Sequence, residues 1–143
     1  MNDIESNKAV ALTFLRMVSE HRHEEAFDLL SDDLQWWVPD SLPGGGFINK
    51  QAIYDKLKKI AHSWSQPLTF EIEYVTAEGD RVAVLMRSRA PKPDGTSYRQ
   101  VYHQLMIIRE GRIVKGYPFL DTLEFAQEVY GATVAYPDQT VNS

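Results

Sequence analysis

The sequence predicts an α+β fold in which a sheet curves over helices gathered mostly in the first half of the chain. Three observations predict it. Apolar residues recur at helical spacing in three segments that end by residue 62. From Leu68 the apolar spacing changes to two and stays there through consecutive strands. The strand signal is strongest over Val101 to Arg109, which closes at Glu110-Gly111 and resumes over Arg112 to Tyr117 as a β-hairpin.

Taken in order, Ile4 to Val18 places Val10, Phe14, Met17 and Val18 on one side of an amphipathic helix, with Ser6 or Asp3 as its cap. A polar link, Ser19 to His23, leads to a shorter helix over Glu24 to Leu30, whose apolar side is Ala26, Phe27, Leu29 and Leu30. Leu34 to Val38 is a short strand, because Pro39 biases the residue before it towards an extended conformation. The loop Asp40 to Gly46 carries three consecutive glycines but no Gly-Lys-Ser/Thr ending, so it reads as a flexible lip to a cavity rather than a phosphate cradle. Asn49 caps a third helix, Lys50 to Ala61, with Ile53, Tyr54, Leu57 and Ile60 as its apolar stripe. His62 falls at its end, where a partly positive imidazole suits the helix dipole.

Phe70, Ile72 and Tyr74 then alternate with acidic residues, Glu78-Gly79-Asp80 turns the chain into a strand over Arg81 to Ala90, and Pro91 to Gly95 turns it again into the strand begun by Tyr98. On that strand Gln100, Tyr102, Gln104, Met106 and Ile108 share one face, and Val101, His103, Leu105 and Ile107 the other. Both faces are largely apolar, so both are expected to be covered, which predicts a homodimer. Gly116 and Pro118 are expected to mark a bulge where the returning strand loosens. Leu123, Phe125, Ala126 and Val129 form a terminal helix that stops at Gly131, which places Asp121 at a strand-to-helix junction. Residues 132–143 are expected to be a flexible tail to a single domain spanning 1–143.

The totals set bounds on function. A chain of 143 residues can bury about two-thirds of its unfolded surface without staples. The absence of cysteine removes disulfides, Cys-ligated zinc and thiol nucleophiles, and fits a reducing, cytoplasmic setting. A net charge of −5 without a dense Lys/Arg cluster gives no reason to bind nucleic acid. No apolar run is long enough to span a membrane, and the first residues show neither a basic region nor an apolar core of a leader. His21 and His23, two apart in a loop, lack the third ligand a metal needs, and no Gly-x-Ser-x-Gly elbow is present. No metal and no cofactor are expected.

Trp36 three residues before Pro39 on the first strand, Asp80-Arg81-Val82-Ala83-Val84 after an acidic turn, and the frame set by Tyr102, Gly111, Arg112, Ile113 and Asp121 together resemble the nuclear-transport-factor-2-like superfamily. Within it, the likeness is to SnoaL-like or ketosteroid-isomerase-like small proteins, over nearly the whole chain. The resemblance implies a strongly curved, mixed but mostly antiparallel sheet wrapped around the N-terminal helices, a conical pocket, and homodimers through the outer sheet face. It also implies a group containing isomerases, cyclases, dehydratases and epoxide hydrolases alongside proteins that only bind. Two departures stand out: the family's Glu-Tyr before the last Asp is Pro118-Phe119 here, and Gln104 replaces an apolar residue. Arg87-Ser88-Arg89 lacks the Arg-x-Asp arrangement of the limonene-epoxide-hydrolase branch.

Two readings of Asp121 stand side by side: a general acid or base whose pKa an apolar cone would raise, and, from the Asp-x-x-Glu spacing to Glu124, a cap of the terminal helix. Tyr102, with Gln104 on the same face, is the candidate to polarise a carbonyl, the other reading being a buried tyrosine with a satisfied hydroxyl. Trp36, Met86 and Phe119 are expected to line the pocket with Gln104, and His103 is a lesser candidate on the opposite face. The leading expectation is a cofactor-free acid/base enzyme of isomerase, cyclase or dehydratase type acting on a small apolar, carbonyl-bearing ligand. The alternatives are a non-catalytic ligand-binding or accessory dimeric domain, and a protein-interaction module.

Overall fold

The protein is described by a computed structural model covering residues 3–62 and 69–137, without the side chains of residues 61 and 62. Helix α1, Ile4–Ser19, is capped by Asp3, whose carboxylate accepts from the Glu5 N–H. Its buried face, Ala11, Phe14, Leu15 and Val18, repeats every three or four residues and lies against the sheet. Helix α2 is only His23–Phe27, and strand β1 begins at once, Leu30–Val38. The expected second helix therefore ends early. Leu29 and Leu30 are good helix formers, but the Ile113 N–H donates to the Leu29 carbonyl at 2.8 Å and Leu30 pairs with Ile113. Sheet pairing outweighs a helical preference of a few tenths of a kcal/mol.

A three-residue strand the sequence did not announce, β2 at Gly46–Ile48, pairs antiparallel with the end of β1. Ahead of it the chain turns so tightly that a Cβ on Gly45 would stand 2.7 Å from the Asp40 Cα, which only glycine tolerates. Helix α3, Lys50–His62, follows, with the Asn49 side chain accepting from the Ala52 N–H at 2.9 Å as a cap. The reading of His62 concerns a side chain outside the described residues, and the expected strand start at Leu68 lies outside them too.

The remaining strands are β3 Thr69–Glu78, β4 Arg81–Pro91, β5 Ser97–Arg109 and β6 Arg112–Leu120, closed by helix α4 Thr122–Tyr130. The six strands form one curled sheet in the order β2-β1-β6-β5-β4-β3. Among the described strands only the β1–β6 pair is parallel, so the sheet is mixed and mostly antiparallel. Even-numbered residues of β5 from Tyr98 to Ile108 face inward, and His103 is exposed on the outer face.

One expectation about β6 is corrected. The bulge lies not at Gly116–Pro118 but at Val114, because Ile107 pairs with Lys115 and Ile108 with Ile113. Pairing with β5 then continues through Pro118 to Leu120. Pro118 is tolerated because the β1 ladder on its other side ends at Trp36 and Gly116, so no strand asks it for an N–H there. Residues 132–137 form neither helix nor strand, and the rest of the expected tail lies outside the described residues. No helix among the described residues is long and apolar enough to cross a membrane.

Candidate functional site

Two apolar clusters flank the site. The larger gathers Phe14, Leu15, Trp36 and Met106 between α1 and the sheet, and the smaller gathers Val38, Leu42, Tyr98 and Phe125 where α4 docks. Between them lies a cavity of about 140 Å³ with walls from α1, α3, β1, β5, β6 and α4. A space of that order holds roughly one benzene-sized ring. Its walls are apolar almost throughout; Tyr102, Gln104 and Lys56 bring the side chains best able to bond a polar ligand.

Of the residues picked from the sequence, Trp36, Tyr102 and Gln104 meet at this cavity. Trp36 is 7 % exposed and packs on Phe14 with ring centroids 6.1 Å apart. Tyr102 meets Phe70 edge-on at 6.0 Å. Burial pushes the pKa of its hydroxyl up to about 12, against the pull of the neighbouring Ser88 and Tyr98 hydroxyls. Gln104 is 4 % exposed, and the only hydrogen bond of its side chain among the described residues is from Nε2 to the Met106 sulfur at 3.7 Å.

The other three picks are placed elsewhere. Met86, 1 % exposed, pairs with Tyr102 in the ladder but is packed into the core and does not line the cavity. Phe119 is 51 % exposed on the outer face, against Trp37 at 4.9 Å. The bulge explains it: one extra residue at Val114 reverses the facing of all that follow, so Pro118 and Leu120 turn into the cavity and Phe119 out. The expectation that the Asp121 carboxylate stands in an apolar cone is likewise corrected. It is exposed, accepts from the Glu124 N–H at 3.1 Å as the cap of α4, and borders an open groove with Arg87, Arg99 and Glu124.

Several residues of the site escaped the sequence reading. Lys56 is the charged side chain among the described lining residues, and its signal was a lysine set within the stripe Ile53, Leu57, Ile60. Tyr98 and Gln100 form a buried polar group beside the cavity, Gln100 Nε2 donating to the Tyr98 hydroxyl at 2.9 Å. Ser88 pairs with Gln100 across the ladder, and its Oγ is buried without a partner at bonding geometry among the described residues. It lies near enough to Tyr102 to favour that hydroxyl's ionised form. Period-two spacing marked these residues as inward-facing, but nothing local could say that they meet. No cluster of three or more His, Asp or Glu side chains that could hold a metal is present among the described residues.

Known structures share this architecture. An NTF2-like protein from Burkholderia pseudomallei is 17 % identical, with 85 % of this chain and 95 % of that one covered and a TM-score of 0.75. AusH from Aspergillus nidulans is 12 % identical, with 85 % and 88 % covered and a TM-score of 0.76. TerC, co-crystallised with polyporic acid, is 18 % identical, with 85 % and 96 % covered and a TM-score of 0.74. At such identities the likeness is one of fold. No curated protein matches the chain significantly. The family model of the SnoaL-like domain matches residues 11–116, from the buried face of α1 to the glycine beneath Trp36, and the chain belongs to that family.

Proposed function

We propose that the cavity binds a small, mostly apolar ligand through one carbonyl group, with Tyr102 as the principal hydrogen-bond donor and Gln104 as the second. The observation that carries this reading is the Gln104 carboxamide, buried at the wall of an apolar cavity with only a thioether as hydrogen-bond partner among the described residues. Leaving a buried amide so poorly satisfied costs about 1–3 kcal/mol, which a ligand oxygen at the Nε2 donor would recover. Polarising a carbonyl stabilises an enolate, so the reaction classes this arrangement serves are isomerisation, cyclisation and dehydration. The polyporic acid held by TerC is consistent with an organic ligand in a fold of this kind.

A second reading, a binding domain without chemistry, is favoured by one observation: the described lining residues include no Asp or Glu to act as base. Asp121 faces the outer groove instead. For either reading we propose a cytoplasmic homodimer formed through the outer sheet face, where Trp37, Tyr117, Phe119 and Phe47 form a continuous aromatic row. Large exposed apolar patches of this sort mark association surfaces.

Titration calorimetry with acetophenone tests the proposal. Wild type should bind it, Tyr102→Phe and Gln104→Leu should each weaken binding about tenfold, and ethylbenzene, which lacks the carbonyl, should bind all three alike. Absence of binding by both probes would remove the cavity reading. Protein-dependent exchange of the acetophenone methyl protons with D2O, followed by NMR, separates enzyme from binder.

A further inference from the structure

Lys56 sits on the side of α3 where an apolar residue would be expected. Ile53, Leu57 and Ile60 line the cavity from that helix, and Lys56 lines it with them, three residues after Ile53 and four before Ile60. A lysine can lay its stem on an apolar wall and keep its ammonium in water, and Lys56 is half-buried as that arrangement requires. Its charge is not answered. The positions one turn away on the helix are Ala52, Ile53, Lys59 and Ile60, none of them acidic. The described cavity wall contains no Asp or Glu. Other lysines are compensated: Lys8 by Glu5, Lys50 by Asp32 and Lys92 by Glu128, while Lys58 and Lys115 lie over aromatic rings. Lys56 has no hydrogen-bond, ion-pair or ring partner among the described residues.

The position of α3 decides what kind of ligand could answer that charge. The helix packs on β1, whereas Tyr102 and Gln104 stand on β5, and β6 lies between those two strands. Neighbouring strands are about 4.8 Å apart, so the two polar walls are separated by roughly 10 Å along the sheet. One functional group cannot meet both, but two groups at opposite ends of a ring can. We infer that Lys56 is a specificity residue of the cavity and recognises a carboxylate borne on the far side of a ring from the carbonyl, so that the ligand is a ring-bearing keto acid. At the side where Lys56 reaches water, the carboxylate keeps part of its hydration and gains a charge-assisted hydrogen bond from the ammonium. The chain as a whole carries −5, so no general field draws an anion in and a preference for one has to come from a local cation. The inference deepens the carbonyl-binding reading and rests on it for the carbonyl end, but the carboxylate end can be tested apart.

Calorimetry on the full chain at neutral pH pairs each neutral probe with its para-carboxylate: acetophenone with 4-acetylbenzoate, and ethylbenzene with 4-ethylbenzoate. In wild type each carboxylate should bind about tenfold tighter than its neutral partner. Lys56→Met, which keeps an unbranched apolar stem, should abolish that gain in both pairs and leave the neutral probes unchanged, while Lys56→Arg should keep most of it. Equal binding within each pair by wild type, or a carboxylate gain that survives in Lys56→Met, overturns the inference; Lys56 then serves the wall with its stem alone. The second pair has no carbonyl, so the two readings fail separately. A carboxylate gain in both pairs, with acetophenone bound no better than ethylbenzene, would defeat the carbonyl reading and leave Lys56 as the anion site. Acetophenone preferred over ethylbenzene with no carboxylate gain would do the reverse. Binding of none of the four probes overturns both.

Discussion

The indole of Trp36 fills the space that a side chain at position 116 would take. A Cβ built on Gly116 would stand 2.3 Å from Trp36 Cζ3 and 2.4 Å from Cε3. The two residues are direct partners in the parallel β1–β6 pair, so the glycine is what lets a cavity-wall tryptophan lie down on the sheet. Gly116→Ala should therefore push the ring into the cavity, with a loss of about 1–3 kcal/mol as for an overpacked core. Urea melts and tryptophan fluorescence would register it; unchanged stability and emission would mean the ring has free room to move.

The capping geometry of Asp121 makes a second prediction. Asn caps a helix about as well as Asp, so Asp121→Asn should be nearly neutral, whereas Asp121→Ala should cost about 1 kcal/mol. The Gln100 carboxamide bonds to the Asp121 main chain, so both substitutions leave those bonds intact. Urea denaturation of the three proteins at neutral pH decides this, and a large loss in Asp121→Asn would show a role for the carboxylate that capping does not explain.

His23 should make the fold sensitive to mild acid. Both its ring nitrogens are buried without partners among the described residues. Burial first, then the charges of His21 and Lys58, lower its pKa below the usual histidine value. A depressed pKa means that the unfolded chain takes up the proton first, so stability is fully present above about pH 6.5 and is lost as pH falls towards the folded-state value. His23→Gln should flatten the melting-temperature profile between pH 7 and 5 relative to wild type. Parallel profiles would mean that His23 does not control this limb.

The outer aromatic row predicts the last outcome. Phe119 and Phe47 are 51 % and 47 % exposed, and Lys115 lies 4.8 Å over the Phe47 ring. Wild type should sediment as a dimer at micromolar concentration, and Phe119→Glu should sediment as a folded monomer with its cavity unaltered. A wild type that remains monomeric at that concentration would leave the outer face without the proposed partner.

Spacing alone was enough for most elements, because helical and strand periods are properties of consecutive residues. The stripe of α1, the Asn49 cap, the inward set of β5 and the Asp121 junction all lie where their neighbours in sequence put them. Tyr102, Gln104 and Trp36 were found for the same reason, as inward residues on strands that a resemblance placed around a pocket.

What only the tertiary structure decided depends on partners far along the chain. Leu30 is strand rather than helix because Ile113 lies beside it, a pairing that no local propensity encodes. Phe119 faces out because the extra residue at Val114 has no counterpart on β5, and whether an extra residue is absorbed at 114 or at 116 depends on how the two strands lie against each other. Asp121 was legible as a cap but not as the anchor of Gln100, since a carboxamide 21 residues away finds its main chain only after β5 and β6 have paired. Helix caps and faces follow from chemistry within one turn or two residues, whereas register, bulges and shared hydrogen bonds are settled by the free energy of the assembled sheet.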